Sequence, residues 1–405
     1  MSIFEDIKKV LEEDNKLHPS DGSKIGYAID HFGLTIEDIL ECSEHAELSP
    51  VGVVEFLISA EASGKDVMAA TKLLKDYVVE QKELSEQERK EEYLKNSSFA
   101  HIEEFQNKIK ESENKEIIHS GFKTLDKVLD GGLYEGLYLV GAIPSLGKTT
   151  MIMQMADNVA KQGRDVLIFS LEMSRFELMA KSVSRCTVYE MKNAGATNMD
   201  LKTARDITVG SRYKQYSHTE RKLISLAINR FGTFSKHLYV VEGMGDIGAK
   251  DIGNKIQEHI DMTGNVPIVV IDYLQILEPW DVRASDKQNT DKTVKELWKI
   301  SREFETVVIA ISSFNRATYN SKVSFGAFKE SGSLEYGADV AIGLQLEGAG
   351  DADFDSTEAK NRNPRRVEAV ILKNRGGRTG DTLCFEYFPQ YNLFKDKGLK
   401  GESFV

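Results

Sequence analysis

Residues 142–150, Ala-Ile-Pro-Ser-Leu-Gly-Lys-Thr-Thr, have the types and spacing that grip a polyphosphate. Exposed backbone N–H groups and the Lys148 ammonium would cradle the anion, and the Thr149 hydroxyl would ligate Mg²⁺. Gly147-Lys148-Thr149 ends a Walker A pattern in which Ala142 takes the place of the first glycine. A bare Gly-Lys-[Ser/Thr] occurs by chance in roughly one ordinary chain of this length in five, so the surroundings must decide. They do: Leu137–Val140 reads as a buried strand, and Ile152, Met155, Ala156 and Val159 recur at helical spacing up to a closing Gly163. Strand, loop and helix in that order put the positive helix N-terminus at the anion. The candidate nucleotide loop is therefore Ala142, Ile143, Pro144, Ser145, Leu146, Gly147, Lys148, Thr149 and Thr150.

Further chemistry-bearing residues stand at the ends of other apolar runs. Glu172 follows Val166–Ser170, where a carboxylate can orient and deprotonate an attacking water, although a capping or surface glutamate fits the same position. Asp272 ends Ile268–Asp272 in the Walker B manner and would hold Mg²⁺ together with Thr149. Ser313, Asn315 and Arg316 follow Val307–Ser312, where polar side chains can sense a γ-phosphate or simply end a strand. Lys329, Glu330 and Gly332 form a short polar loop suited to a phosphodiester backbone, or an ordinary turn. Lys373 and Arg375 enter a glycine-rich basic turn that includes Arg378; they would steady transition-state charge, unless the turn is a solvated hairpin tip.

These residues need a scaffold that brings strand ends together. From about residue 117, apolar runs alternate with helical stretches: Leu137–Val140, Val166–Ser170, Leu238–Val241, Ile268–Asp272, Val307–Ser312, Val340–Leu344, Val367–Lys373 and Cys384–Phe388. The first five predict an α/β fold with a mainly parallel sheet covered on both faces and function at the C-terminal strand ends. Residues 1–80 read as a small helical region, with stripes at Phe4, Ile7, Val10 and Leu11, then Ile36, Ile39 and Leu40, then Val53, Val54, Phe56 and Leu57. Residues 81–116 read as a charged helical linker, and 117–405 as the nucleotide-binding domain.

The 405 residues carry a formal charge of −12. Residues 1–100 hold 22 acidic against 11 basic side chains, which leaves the remainder near neutrality. Bulk charge therefore gives no drive toward nucleic acid, and any such contact must be local. Three cysteines without metal-ligand spacing fit a reducing cytoplasm, and no apolar run reaches membrane-spanning length.

In this order the segments resemble the C-terminal motor domain of the DnaB family of replicative DNA helicases, on the RecA-like fold. The likeness rests on Gly121-Phe-Lys-Thr-Leu-Asp, Ala142-Ile-Pro-Ser-Leu-Gly-Lys-Thr, Phe169-Ser-Leu-Glu-Met, Ile271-Asp-Tyr-Leu-Gln, Lys329-Glu-Ser-Gly-Ser-Leu-Glu and Lys373-Asn-Arg-Gly-Gly-Arg-Thr-Gly. It covers about residues 117–395. The resemblance implies that Lys148 and Thr149 bind ATP and Mg²⁺, that Glu172 is the catalytic base and that Asp272 is the metal carboxylate. It further implies that Lys373 and Arg375 act across a subunit interface of a homo-oligomer, in this family a hexameric ring, while Lys329, Glu330 and Gly332 meet single-stranded DNA. Two departures resemble phage and mobile-element variants. Ser313 stands where the family has a glutamine, and the family's N-terminal helical domain is not recognisable in residues 1–116. That acidic region could instead dock a replication partner. The expected function is an ATP-dependent DNA helicase of the cytoplasm. The alternative is a RecA-like, DNA-dependent ATPase that acts as a loader, switch or recombination mediator without processive unwinding.

Overall fold

The computed structural model describes residues 22–45, 49–62, 87, 89–113, 116–243, 246–315, 321–328 and 337–401. The chain divides into two units, Met1–Lys115 and Glu116–Val405. In the first, helices α1 (Gly22–Phe32), α2 (Ile36–His45) and α3 (Pro50–Ala62) close on Ile25, Ala28, Leu34, Ile39, Val54 and Leu57. Thr35 and Asp38 cap α2 reciprocally, each side chain accepting the other's backbone N–H. Phe56, expected on the apolar stripe of α3, is exposed instead. Helix α4 (Ile102–Ser112) buries no residue. The stripe Phe4, Ile7, Val10 and Leu11 lies outside the described residues.

The second unit is built on one nine-stranded sheet. Its strands are β1 (Gly136–Ala142), β2 (Val166–Ser170), β3 (Leu238–Glu242), β4 (Ile268–Asp272), β5 (Val307–Ser313), β6 (Val340–Leu346), β7 (Arg365–Asn374), β8 (Thr382–Phe388) and β9 (Leu393–Leu399). They lie in the order β3-β2-β4-β5-β1-β6-β7-β8-β9. The run from β3 to β6 is parallel, whereas β6 through β9 pair antiparallel. Strands β1, β2 and β4 are buried along their whole length, as continuous Val/Ile/Leu runs in a doubly covered sheet require. The predicted α/β sheet is observed. Strand β9 was missed because Lys395, Asp396 and Lys397 interrupt its apolar pattern, although Leu393 and Phe394 are core residues.

Nine helices among the described residues accompany the sheet: α5 (Lys123–Val128), α6 (Lys148–Ala160), α7 (Arg175–Ala194), α8 (Ala204–Thr208), α9 (Gly210–Tyr213), α10 (His218–Ser235), α11 (Ala249–Thr263), α12 (Asp286–Glu303) and α13 (Ser356–Asn361). Helix α6 is the element that carries the loop lysine, and it is fastened to the antiparallel half. Gln154 donates to the Phe394 carbonyl at 2.9 Å and accepts the Phe394 N–H at 2.8 Å. Arg185 of α7 donates to Asp157 of α6 at 2.7 Å and to the Asn392 carbonyl at the β8–β9 turn. Both charged side chains of that pair are only 1% exposed.

Arg185→Met strands the Asp157 carboxylate in the interior, at an expected cost of about 3–5 kcal/mol. Thermal unfolding should show a Tm lowered by several degrees, and adding Asp157→Leu should recover much of the loss. An unchanged melt for the single variant would remove this pair from the account of what holds α6.

Candidate nucleotide-binding site

The loop between β1 and α6 has the shape its sequence demands, including at the position of the replaced glycine. Ala142 is the last residue of β1, pairs with Ser313 and Leu344 on either side, and is fully buried. It lies in strand, so that position needs no left-handed backbone, and alanine serves. The left-handed turns come later, at Ser145 (φ 64°) and Gly147 (φ 93°). A Cβ on Gly147 would stand 2.8 Å from the Tyr387 ring and 2.9 Å from Phe394. Glycine is required there for both backbone and space. The two rings stack at 4.3 Å with 9° between their planes. Tyr387 also hydrogen-bonds the Thr150 side chain. The Lys148 ammonium crosses the loop to the Ala142 carbonyl at 2.8 Å.

Register brings the other carboxylates to this loop. Ser170 of β2 pairs with Asp272 of β4, and the Leu171 N–H donates to the Asp272 carbonyl at 2.9 Å. Glu172, the next residue, is exposed beside them. Asp272 is buried and hydrogen-bonds the Thr149 side chain; burial raises its carboxyl above the ordinary value, the Thr149 bond opposes this, and the Glu172 charge adds to the rise. Its Oδ2 is buried without a hydrogen-bond partner. An orphaned carboxylate oxygen beside a threonine hydroxyl at a helix N-terminus fits a hard cation that also takes phosphate oxygens and water.

Lys181 and Arg365, not singled out in the sequence, and Gln275, the last residue of the Ile271-Asp-Tyr-Leu-Gln segment, join the site. Lys181 of α7 is half-buried. Burial pushes its ammonium below the usual lysine range, against the pull of Asp272. Gln275 donates to the Ser312 hydroxyl at 2.9 Å, tying the Asp272 segment to the end of β5. Arg365, the first residue of β7, donates to the Ser145 carbonyl at 2.9 Å. Only the strand order reveals Lys181 and Arg365, because long stretches of sequence separate them from the loop.

The remaining candidates fall differently. Ser313 is half-buried at the end of β5, and Asn315 is exposed with its N–H on the Ala327 carbonyl. Arg316, Lys329, Glu330 and Gly332 lie outside the described residues. Lys373 pairs with Ala341 at the N-terminal end of β6. Arg375 binds Asp339 through both backbone (2.9 Å) and side chain (3.1 Å). Asp339 in turn pairs with Leu137, at the start of β1. Five strand steps of about 3.3 Å separate Leu137 from Ala142, so the Arg375 end stands roughly 17 Å along the sheet from the loop. One chain therefore brings Lys148, Thr149, Asp272 and Glu172 together and leaves Lys373 and Arg375 out.

Comparison with known proteins gives these features a context. The profile of the DnaB-like helicase C terminal domain matches residues 117–396. The replicative DNA helicase DnaB of Geobacillus stearothermophilus is 28% identical over 285 residues, which is 68% of this chain and 56% of that relative. The chain thus matches little more than half the length of that relative. A solved ATPase domain is 25% identical with a TM-score of 0.61, covering 75% of this chain and 99% of that one. A DnaB-like replicative helicase solved for its interactions with primase has 22% identity and a TM-score of 0.62, covering 94% of this chain and 92% of that one. That likeness bears on fold alone.

The buried, half-satisfied Asp272 has a stability consequence. Its carboxyl titrates above the unfolded value, so stability falls as pH rises from the ordinary carboxylate range through the folded value. Asp272→Asn should therefore stabilise the nucleotide-free protein at pH 7 by on the order of 1 kcal/mol, read as a raised Tm. It should also abolish any extra stabilisation by Mg²⁺ over nucleotide alone. A lower Tm with retained Mg²⁺ response would contradict this assignment.

Proposed function

The chain belongs to the family of DnaB-like helicase C-terminal domains, and from that premise we propose that it hydrolyses ATP between subunits of a homo-oligomer while moving along single-stranded DNA. The observation that carries this reading is the separation of its site residues. The loop end of the sheet holds the candidate phosphate-binding residues, and Arg375 stands roughly 17 Å away toward the other end of β1. That separation along a paired strand supports a second copy as the source of the finger.

In this reading the backbone N–H groups of 145–149 and the Lys148 ammonium hold the β- and γ-phosphates at the α6 N-terminus. Thr149 and Asp272 would hold Mg²⁺, which when bound neutralises phosphate charge. Glu172, exposed at the end of β2, orients the attacking water and takes its proton. Lys373 and Arg375 of the adjacent copy steady the developing charge on the γ-phosphoryl. Ser312, tied to the Asp272 segment through Gln275, and the adjacent Ser313 report phosphate state to the segment carrying Lys329, Glu330 and Gly332, which contacts the DNA backbone. A hexameric ring, cytoplasmic residence and a replication partner on residues 1–116 belong to the same proposal. The short side chain of Ser313 favours a second reading, a DNA-stimulated ATPase that loads or switches without processive unwinding.

Glu172→Gln should retain nucleotide binding and lose about 10²–10⁴-fold in kcat. Turnover near the wild-type rate would exclude Glu172 as the base. For action in trans, mixing Arg375→Ala with Lys148→Ala subunits should restore part of the activity that each lacks alone. Verified mixed oligomers without recovery would count against a shared site. Helicase and switch are separated by forked-duplex unwinding alongside ATPase assays with and without single-stranded DNA. Strong stimulation with no unwinding selects the switch.

A further inference from the structure

Asp339 sits where the finger-bearing strand meets the start of β1, and its surroundings are unusually specific. Its Oδ2 accepts the Leu137 N–H at 2.9 Å. Its Oδ1 accepts from two guanidiniums, Arg302 Nη2 at 2.9 Å and Arg375 Nη1 at 3.1 Å. The carboxylate is 9% exposed, whereas Arg302 and Arg375 are 42% and 50% exposed. Gly136 makes room for it: a Cβ there would stand 2.7 Å from Oδ2. A recess of about 410 Å³ lined by Asp130, Tyr134 and Glu135 opens beside the two arginines.

A carboxylate and a phosphate present a similar fork of oxygens to a guanidinium. We propose that Asp339 is a positioning residue that parks the Arg375 finger on its own subunit, and that Arg302 keeps Asp339 paired when the finger leaves for the neighbour's γ-phosphate. This rests on the reading of Arg375 as a finger. A buried carboxylate with a single partner would be stranded when that partner moved, at a large cost. With two, the exchange is cheap: Arg302 and the Leu137 N–H stay in place, and the half-exposed Arg375 swaps one anion for another. The parked contact competes with engagement, so it restrains turnover until a neighbour presents nucleotide.

Replacing Asp339 and replacing Arg302 then have opposite effects on the finger. Asp339→Asn keeps its oxygen toward the Leu137 N–H and turns its amide toward the arginines, releasing both. ATP turnover of the oligomer without DNA should rise about two- to fivefold, the scale of a partly exposed ion pair. Arg302→Met keeps the aliphatic packing near the Trp298 ring but leaves Arg375 as the one side-chain cation on Oδ1, so turnover should fall by a similar factor. In an Arg375→Ala background both effects should vanish. A role in folding alone lowers activity in both variants and does so whether or not Arg375 is present, and either result overturns the proposal. If Asp339→Asn does not fold, the solvent-facing Arg302→Met and its dependence on Arg375 still decide. Wild-type turnover in Arg375→Ala itself would reject the finger reading and this inference with it. A large loss there, with Arg302→Met unaffected by the background, rejects only the parking role.

Discussion

The site depends on the contact between Gly147 and the stacked rings of Tyr387 and Phe394. The phosphate loop turns left-handed at a residue with no side chain, and the rings occupy the space a Cβ would need. Around this contact the P-loop helix is fastened by Gln154 to Phe394, by Thr150 to Tyr387, and through Asp157 and Arg185 to Asn392. The antiparallel strands thus buttress the loop as well as widen the sheet. A loop that must offer its N–H groups to an anion cannot satisfy them internally, so its shape has to be imposed by neighbours.

The same antiparallel half carries Lys373 and Arg375. Strand β7 begins with Arg365 on the Ser145 carbonyl and ends beside Arg375 on Asp339. One ten-residue strand therefore touches the phosphate loop of its own subunit at one end and presents cations at the other. Because paired strands resist bending out of register, a shift at either end is felt along the whole strand.

Buried charge is handled in two ways that match position to role. Arg185 and Asp157 are fully enclosed and mutually satisfied, a structural pair. Asp339 is paired twice. Asp272 keeps one buried oxygen without a partner and a carboxyl raised by desolvation. Such a group is unfavourable for folding and is tolerated where a cation is to be held.

Much of this was legible in the chain because it depends on local order. Short apolar runs specify buried strands, and the loop, Glu172 and Asp272 follow those runs directly, so the strand-end chemistry could be read from spacing. Ala142 illustrates the limit. As a letter it broke a pattern; in the fold it is an ordinary strand residue whose carbonyl holds Lys148. Strand β9 escaped notice since charged residues interrupt its pattern while Leu393 and Phe394 pack inward. Lys181, Arg365 and Asp339 were invisible as site residues because their meaning comes from pairing partners far away in sequence. The sequence by itself determined which strands form and which residues end them, through hydrophobic period and turn chemistry. Only the tertiary structure decided which ends meet: strand order and register set the roughly 17 Å between the loop and Arg375, and no local pattern encodes a distance across a sheet.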